Sequence, residues 1–144
     1  MRRAGPCLAA VGVALAAGCG GDDPRSGVLT VDERWTRGPF FIEGHAAFAT
    51  IGAGGGRRLA EGVRKPGDDG PLLVRRLEPG RYRVAGYVRS CAPSCGTDGR
   101  AGDPPSLHCS ATVEIAGDTA VTFVRDHGGG GPGTCHVEVE QPPR

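Results

Sequence analysis

The sequence lacks long apolar runs and helical periodicity, and each absence excludes a class of structure. Its longest apolar run, residues 8–17, is about half the length of the roughly 20 residues that a membrane-spanning helix needs. Beyond the first 18 residues, only residues 57–61 could form a turn or two of helix, which argues against a helical or α/β fold. The 26 glycines and 12 prolines instead punctuate short segments, as in an all-β protein.

Motifs of the common catalytic classes are missing as well. No serine lies in a G-x-S-x-G elbow, and H-E-x-x-H does not occur. The glycine-rich loops at 52–56, 65–71 and 128–131 precede no helical pattern and lack the Lys and Ser/Thr of a phosphate loop. Glu138 and Glu140 could act as paired carboxylates, but solvated charges on an edge strand explain them equally well. We therefore expect a protein that is not an enzyme and has no cofactor.

The start of the chain has the pattern of an export signal. Arg2 and Arg3 precede the apolar run, which ends in small residues before Cys19. The segment LAAGC, residues 15–19, resembles the lipobox of bacterial lipoproteins, in which the cysteine is acylated and becomes the first residue. This resemblance implies a lipid anchor at Cys19 on the extracytoplasmic face of the cell membrane. The alternative is an ordinary secreted protein with a cysteine near its cleavage site.

The remaining chain divides into a tether, one domain and a tail. Residues 1–18 are the predicted signal peptide, and residues 19–26 are the lipidated cysteine with a polar, flexible tether. Residues 27–140 are long enough for one domain with one core. Residues 141–144 form a short tail.

Alternating apolar and polar residues predict about seven strands. The clearest stretches are 28–35, 46–51, 81–89, 107–115, 119–125 and 133–140, together with the segment from 72 to the turn at 78–81. Trp35 is predicted to be a core residue. In the turn, Pro79 and Gly80 fit a type II geometry, which suits hairpin twist poorly, so the flanking strands are expected to diverge into two sheets. Residues 116–118 are predicted to close a hairpin.

The segments LEPGRYRV and VEIAGDTAVTF, within residues 72–125, resemble the prealbumin-like sandwich of carboxypeptidase regulatory and collagen-adhesin B-type repeat domains. The resemblance implies an accessory or adhesive module. Four cysteines and the long loop at 92–106 depart from that family. The expected fold is a small, disulfide-stapled antiparallel β-sandwich, prealbumin-like or immunoglobulin-like.

Four cysteines fall within the predicted domain, since Cys7 belongs to the signal peptide and Cys19 is the anchor. An even number in an exported domain predicts two disulfides. Strand parity points Cys109 and Cys135 inward, which favours that pair and leaves Cys91 with Cys95, although the other pairings stay open. A metal site with His108, His127 or His136 is the competing interpretation. Adjacent His and Cys residues on a strand point to opposite faces, so no metal is expected.

Charge is uneven along the chain. Residues 57–89 hold nine basic and four acidic residues, an excess of five positive charges, while the whole chain carries only +1. Solvated strand faces explain this excess better than an anion-binding patch. Nucleic acid is a poor partner for a near-neutral exported domain without a binding motif. The sequence therefore predicts a membrane-anchored surface lipoprotein that presents a binding or structural module to an envelope protein; the alternative is a lipoprotein that binds a small anion or a metal.

Overall fold

The computed structural model describes residues 26–38, 44–91, 94–128 and 131–141. The predicted signal peptide, Cys19 and most of the tether lie outside these residues, as do residues 142–144. Within the described part the chain forms eight strands, one 3-10 turn at Gly54–Gly56 and no α-helix. The strands are β1 Gly27–Arg37, β2 His45–Gly52, β3 Arg58–Arg64, β4 Leu73–Leu77, β5 Gly80–Ser90, β6 Ser106–Ile115, β7 Thr119–Asp126 and β8 Thr134–Glu140.

These strands form two four-stranded sheets that pack face to face. Sheet A has the order β4-β1-β7-β8, and sheet B has the order β3-β2-β5-β6. The expected all-β sandwich is thus confirmed. One neighbouring pair departs from the expected antiparallel pattern, because β1 and β7 run parallel. The other neighbouring pairs are antiparallel.

The inner faces follow the period of two that the sequence showed. Alternate residues of each strand point between the sheets and form one apolar core. Its fully buried members include Leu29, Val31, Ile51, Val84 and Phe123. Burial of these side chains supplies the main free energy that holds the two sheets together.

The helical turn considered at residues 57–61 is wrong. Those residues lead into β3, which pairs with β2 and brings Ala60 opposite Ile51. A helix this short cannot offset its nucleation cost, whereas the edge of β2 offers a full ladder of hydrogen bonds.

Four connections cross from one sheet to the other: β1–β2, β3–β4, β4–β5 and β6–β7. β4 lies in sheet A and β5 in sheet B, so the strands flanking residues 78–79 diverge as predicted. Gly80 has a φ of 154°, far from the roughly +80° of a type II turn, because it already begins the extended β5. The predicted hairpin through residues 116–118 is wrong, since β6 lies in sheet B while β7 pairs with β1 and β8 in sheet A.

The cysteine pair favoured by parity and the pair left by that choice both lie at disulfide distance. Cys109 on β6 and Cys135 on β8 have Cα atoms 5.5 Å apart and join an edge of sheet B to an edge of sheet A. Cys91 and Cys95 have Cα atoms 4.6 Å apart and close a short ring at the start of the β5–β6 connection. The first bridge therefore staples the two layers of the sandwich, and the second constrains a loop.

The two ends of the sandwich differ. The end at which β1 begins, here called the proximal end, carries the short connections 53–57, 78–79 and 116–118. The opposite end, here called the distal end, carries the longer connections 38–44, 65–72, 91–105 and 127–133. β1 has 11 residues, so the two ends are about 33 Å apart at 3.3 Å per residue.

The close approach of the two sheets at Gly86 can be tested by adding one methyl group. A Cβ at Gly86 would lie 2.3 Å from the Phe123 ring and 2.8 Å from the Phe48 carbonyl oxygen. We expect Gly86→Ala to lower the free energy of unfolding by about 1–3 kcal/mol through overpacking, measured by denaturant unfolding. Gly117→Ala is the control, because nothing lies within 4 Å of its Cβ position. Equal stabilities for the two variants would contradict this packing.

Candidate functional site

At the distal end the inner faces change from apolar to polar. On β1 the inward row Leu29 and Val31 continues into a carboxylate and an indole, and on β7 the row ending in Phe123 continues into a guanidinium. β2 and β3 add an imidazole and a second guanidinium from the opposite sheet. These five side chains are here called the distal polar cluster: Glu33, Trp35, His45, Arg64 and Arg125.

Glu33 lies at the centre of the distal polar cluster. Its Oε1 accepts a hydrogen bond of 2.9 Å from Arg64 Nη2 and lies 3.3 Å from His45 Nε2, while its Oε2 lies 3.1 Å from Arg125 Nε. Burial raises the pKa of Glu33, but the hydrogen bonds of His45 and Arg64 and the charge of Arg125 together hold it below its ordinary value. Glu33 is therefore a buried carboxylate anion at neutral pH.

Arg125 is fully buried and couples the cluster to the backbone of β6. Burial lowers the pKa of its guanidinium to about 10, against the opposing effect of Glu33, so it stays cationic at neutral pH. Its Nη1 donates a 3.0 Å hydrogen bond to the carbonyl oxygen of Leu107. Leu107 has a φ of 50°, the only positive φ of a non-glycine residue among the described residues. Arg125 thus holds a strained backbone position next to the distal loops.

Arg64 links the same cluster to the β3–β4 connection. Its Nη1 donates hydrogen bonds of 2.7 Å to Asp32 Oδ1 and to the carbonyl oxygen of Gly70. Burial lowers the pKa of Arg64, but the hydrogen bonds to Glu33 and Asp32 outweigh it and raise the pKa. One guanidinium therefore ties β1, β3 and the loop at 65–72 together.

A cavity of about 490 Å³ opens beside the distal polar cluster. Trp35, His45 and Arg64 form its wall and residues 65–70 its rim. The rings of Trp35 and His45 meet edge to face, with their centroids 5.0 Å apart. A second cavity of about 630 Å³ shares Lys65, Pro66 and Asp68 with the first and continues to residues 94–97. Together they form a hollow with charged groups of both signs, suited to polar and charged groups of a partner.

The sequence left open the purpose of the loop at 92–106, and the described part of it, residues 94–105, covers the outer face of sheet B. Phe48 and Tyr87 stack on that face with ring centroids 4.7 Å apart, and the Arg100 guanidinium lies 5.4 Å from the Phe48 ring. Cys91 and Cys95 are buried against the same aromatic pair. Arg100 also forms an ion pair with Glu61 on β3. The second disulfide thus holds a lid on sheet B.

The candidate metal ligands of the sequence analysis are not gathered together. His108 lies on the outer face of sheet B near Tyr87, and His136 lies on β8 of sheet A, 3.7 Å from Glu138. Among the described residues no group of three or more His, Cys, Asp or Glu side chains could hold a metal ion. Glu138 and Glu140 share a face of edge strand β8, but Glu138 is paired with Arg34 at 2.8 Å.

The basic residues of the 57–89 segment do not form one patch. Arg75 and Arg76 lie on β4 of sheet A, while Arg81 and Arg83 lie on β5 of sheet B. Arg64 is bound to two carboxylates in the distal polar cluster. Trp35, predicted to be a core residue, packs against the core but also forms a wall of the cavity.

Sequence reasoning missed Glu33 and Arg125. The sequence does hold a signal of their inward position, because Glu33 lies two residues beyond the inward-facing Val31 and Arg125 lies two residues beyond the inward-facing Phe123. Strand ends commonly emerge into solvent, so parity alone does not predict that charged residues there are buried.

No protein family model, no curated protein and no solved structure matches this chain. Within the part of the chain that the structure describes, no helix has the length and apolar character to cross a bilayer. The function must therefore be argued from the chain's own residues.

The buried ion pair gives a stability prediction. We expect Arg125→Met to lower the free energy of unfolding by about 3–5 kcal/mol in denaturant titrations, because Glu33 would keep its buried charge and lose one of the two guanidinium groups that balance it. The control is Arg83→Met, which removes an exposed guanidinium from β5 and should change stability by less than about 0.5 kcal/mol. A loss no larger than that of the control would show that Arg125 is not needed to balance Glu33.

The lowered pKa of Glu33 predicts a pH dependence. A carboxyl group with a lower pKa in the folded state stabilises the fold above its unfolded pKa, and this stabilisation is lost as pH falls through the folded pKa. We expect the difference in free energy of unfolding between the wild type and Glu33→Gln to be largest above pH 5 and to shrink below about pH 4.5. Denaturant unfolding at pH 3, 4, 5 and 7 measures it. A difference independent of pH would contradict the buried carboxylate anion.

Proposed function

We propose that this protein is a lipid-anchored, non-enzymatic binding module, acylated at Cys19 and exposed on the extracytoplasmic face of the cell membrane. Its distal loops and the adjoining hollow bind an envelope protein. The observation that carries the proposal is the placement of β1, which begins at the end of the sandwich opposite to the long loops and the distal polar cluster.

This placement suits an anchor at Cys19. The first strand begins at Gly27, only eight positions beyond that cysteine. A short polar tether therefore holds the proximal end toward the membrane and leaves the distal end about 33 Å further out. Antibody variable domains likewise present their binding loops at one end of a rigid sandwich.

The free-energy cost of the buried charges and strained backbone at the distal end supports a binding role there. Replacing a buried ion pair by apolar residues of the same volume is often neutral or stabilising. Stability alone therefore explains the pair of Glu33 and Arg125 poorly. The strained Leu107 adds to this cost. Groups with perturbed pKa values and strained backbone concentrate at functional sites. A partner surface with charged side chains of both signs would complement the hollow.

We infer further that the sandwich is prealbumin-like and not immunoglobulin-like. In immunoglobulin domains the first strand shares a sheet with the second and the fifth. Here β1 shares sheet A with β4 and β7, whereas β2 and β5 belong to sheet B. The accessory or adhesive activity that the prealbumin-like resemblance implies agrees with a binding module.

The alternative, capture of a small anion or a metal, has less support. The guanidinium nearest the hollow, Arg64, is already paired with Asp32 and Glu33, and other basic residues are spread over both sheets. The four thiols that a metal site would use lie in two pairs at disulfide distance.

The proposal predicts that a partner contacts only the distal end. A photo-reactive amino acid at position 69, on the rim of the hollow, should cross-link one envelope protein in the membrane-anchored chain. The same amino acid at position 114, exposed at the proximal end of β6, should give no such product. Denaturing gels of irradiated membranes measure both, and an excess of the soluble domain should compete with the product.

Cys19→Ser provides the second arm of the same experiment. It should remove the lipid and release the protein from the membrane fraction, whereas Cys7→Ser should leave it anchored. Equal cross-linking from positions 69 and 114, or retention of Cys19→Ser in the membrane, would contradict the proposal.

A further inference from the structure

The outer faces of the two sheets differ in how much of each is covered by other residues. The loop around Arg100 covers sheet B. On the outer face of sheet A, the ion pair of Arg34 with Glu138 crosses β7 in the distal half, where Val124 is buried, whereas among the described residues the proximal half has no such cover. This proximal half carries small or apolar side chains along its centre and one edge: Val28, Thr30, Ala120, Thr122 and Val74. Val74 is 55% exposed, the larger value of the two exposed large apolar side chains in the described part of the chain.

A hollow of about 580 Å³ lies at the proximal part of this face. Its floor is made by Val28, Thr30 and Ala120, and the carboxylates of Asp118 and Glu140 stand at its rim. On the same face, at the opposite edge of the sheet, stands the exposed guanidinium of Arg76 on β4. The face therefore has a cation at one edge and two carboxylates toward the other.

We propose that this face binds a second copy of the chain in a two-fold symmetric dimer, with Arg76 of each copy entering the hollow of the other. A two-fold axis that runs parallel to the strands between β1 and β7 exchanges the β4 edge with the β8 edge. The strand register then places Arg76 of one copy near Asp118 and Glu140 of the other. Thr30 of one copy meets Ala120 of the other, because these two residues are paired across the axis. The surface is thus self-complementary, as an isologous interface requires.

This axis also leaves the strand direction unchanged. Both copies therefore begin β1 at the same end of the dimer, so two anchored copies could associate within one membrane. The complementarity of the face itself does not depend on the anchor.

The size of the face sets the strength of the dimer. Four strands about 4.8 Å apart and about six residues long give roughly 20 by 20 Å, or about 400 Å² per copy. Stable interfaces bury about 800 Å² per partner, so the dimer is expected to be weak in solution. Two anchors in one bilayer would raise the effective concentration and favour it.

The test is sedimentation equilibrium of residues 20–144, oxidised, from 10 µM to 1 mM. This segment contains every described strand and both cysteine pairs. We expect a reversible monomer–dimer equilibrium that weakens with salt. Arg76→Glu and Glu140→Arg should each weaken dimerisation at least about tenfold, since like charges would meet. The double variant Arg76→Glu with Glu140→Arg should dimerise more strongly than either single variant.

The matched control is Arg81→Glu, the same charge reversal on the exposed surface of β5 in sheet B, which should leave the dimer unchanged. Circular dichroism confirms that each variant is folded. A wild type that stays monomeric to 1 mM would overturn the proposal and leave the face to another occupant. A dimer that Arg76→Glu does not weaken, or that the double variant fails to restore, would overturn it as well.

Discussion

The burial of the Glu33 carboxylate between the two sheets is the constraint on which the distal end depends. A charge removed from water must be balanced locally, and here two guanidinium groups and one imidazole surround it. Each of these groups comes from a different strand, so the balance fixes the distal ends of β1, β2, β3 and β7. It also fixes Leu107 on β6 and Gly70 in the β3–β4 connection, because the same guanidinium groups donate to their carbonyl oxygens.

The sandwich is therefore stabilised differently at its two ends. Toward the proximal end, short connections and a continuous apolar core hold the sheets together. At the distal end, ion pairs and strained backbone take the place of apolar contacts. A rigid, apolar body with a polar, loop-rich end is the arrangement expected of a module that binds through one end. The proximal half of the outer face of sheet A adds a lateral surface that is separate from this end.

Much of the fold could be predicted because strand parity is a local property. Leu29 and Val31 on β1, and Val113 and Ile115 on β6, alternate clearly, and the inward positions of Cys109 and Cys135 favoured the pair that lies at disulfide distance. Strand pairing was less predictable. Residues 116–118 look like a hairpin turn, but whether a turn returns to the same sheet or crosses to the other depends on packing partners distant in sequence. The distal polar cluster escaped prediction for the same reason, since its members are separated by up to 92 positions, from Glu33 to Arg125.

The sequence by itself determined the class of structure: all-β, one sandwich and an even set of cysteines, all of which follow from composition and period. Only the tertiary structure decided that β1 lies beside β7, that residues 94–105 cover sheet B, and that Glu33 meets Arg125 and Arg64. The physical reason is that alternation specifies which face of a strand is buried, but not what it is buried against. A charged residue at an inward position is tolerated only when opposite charges from other strands arrive at the same place, and that arrival is a property of the whole fold.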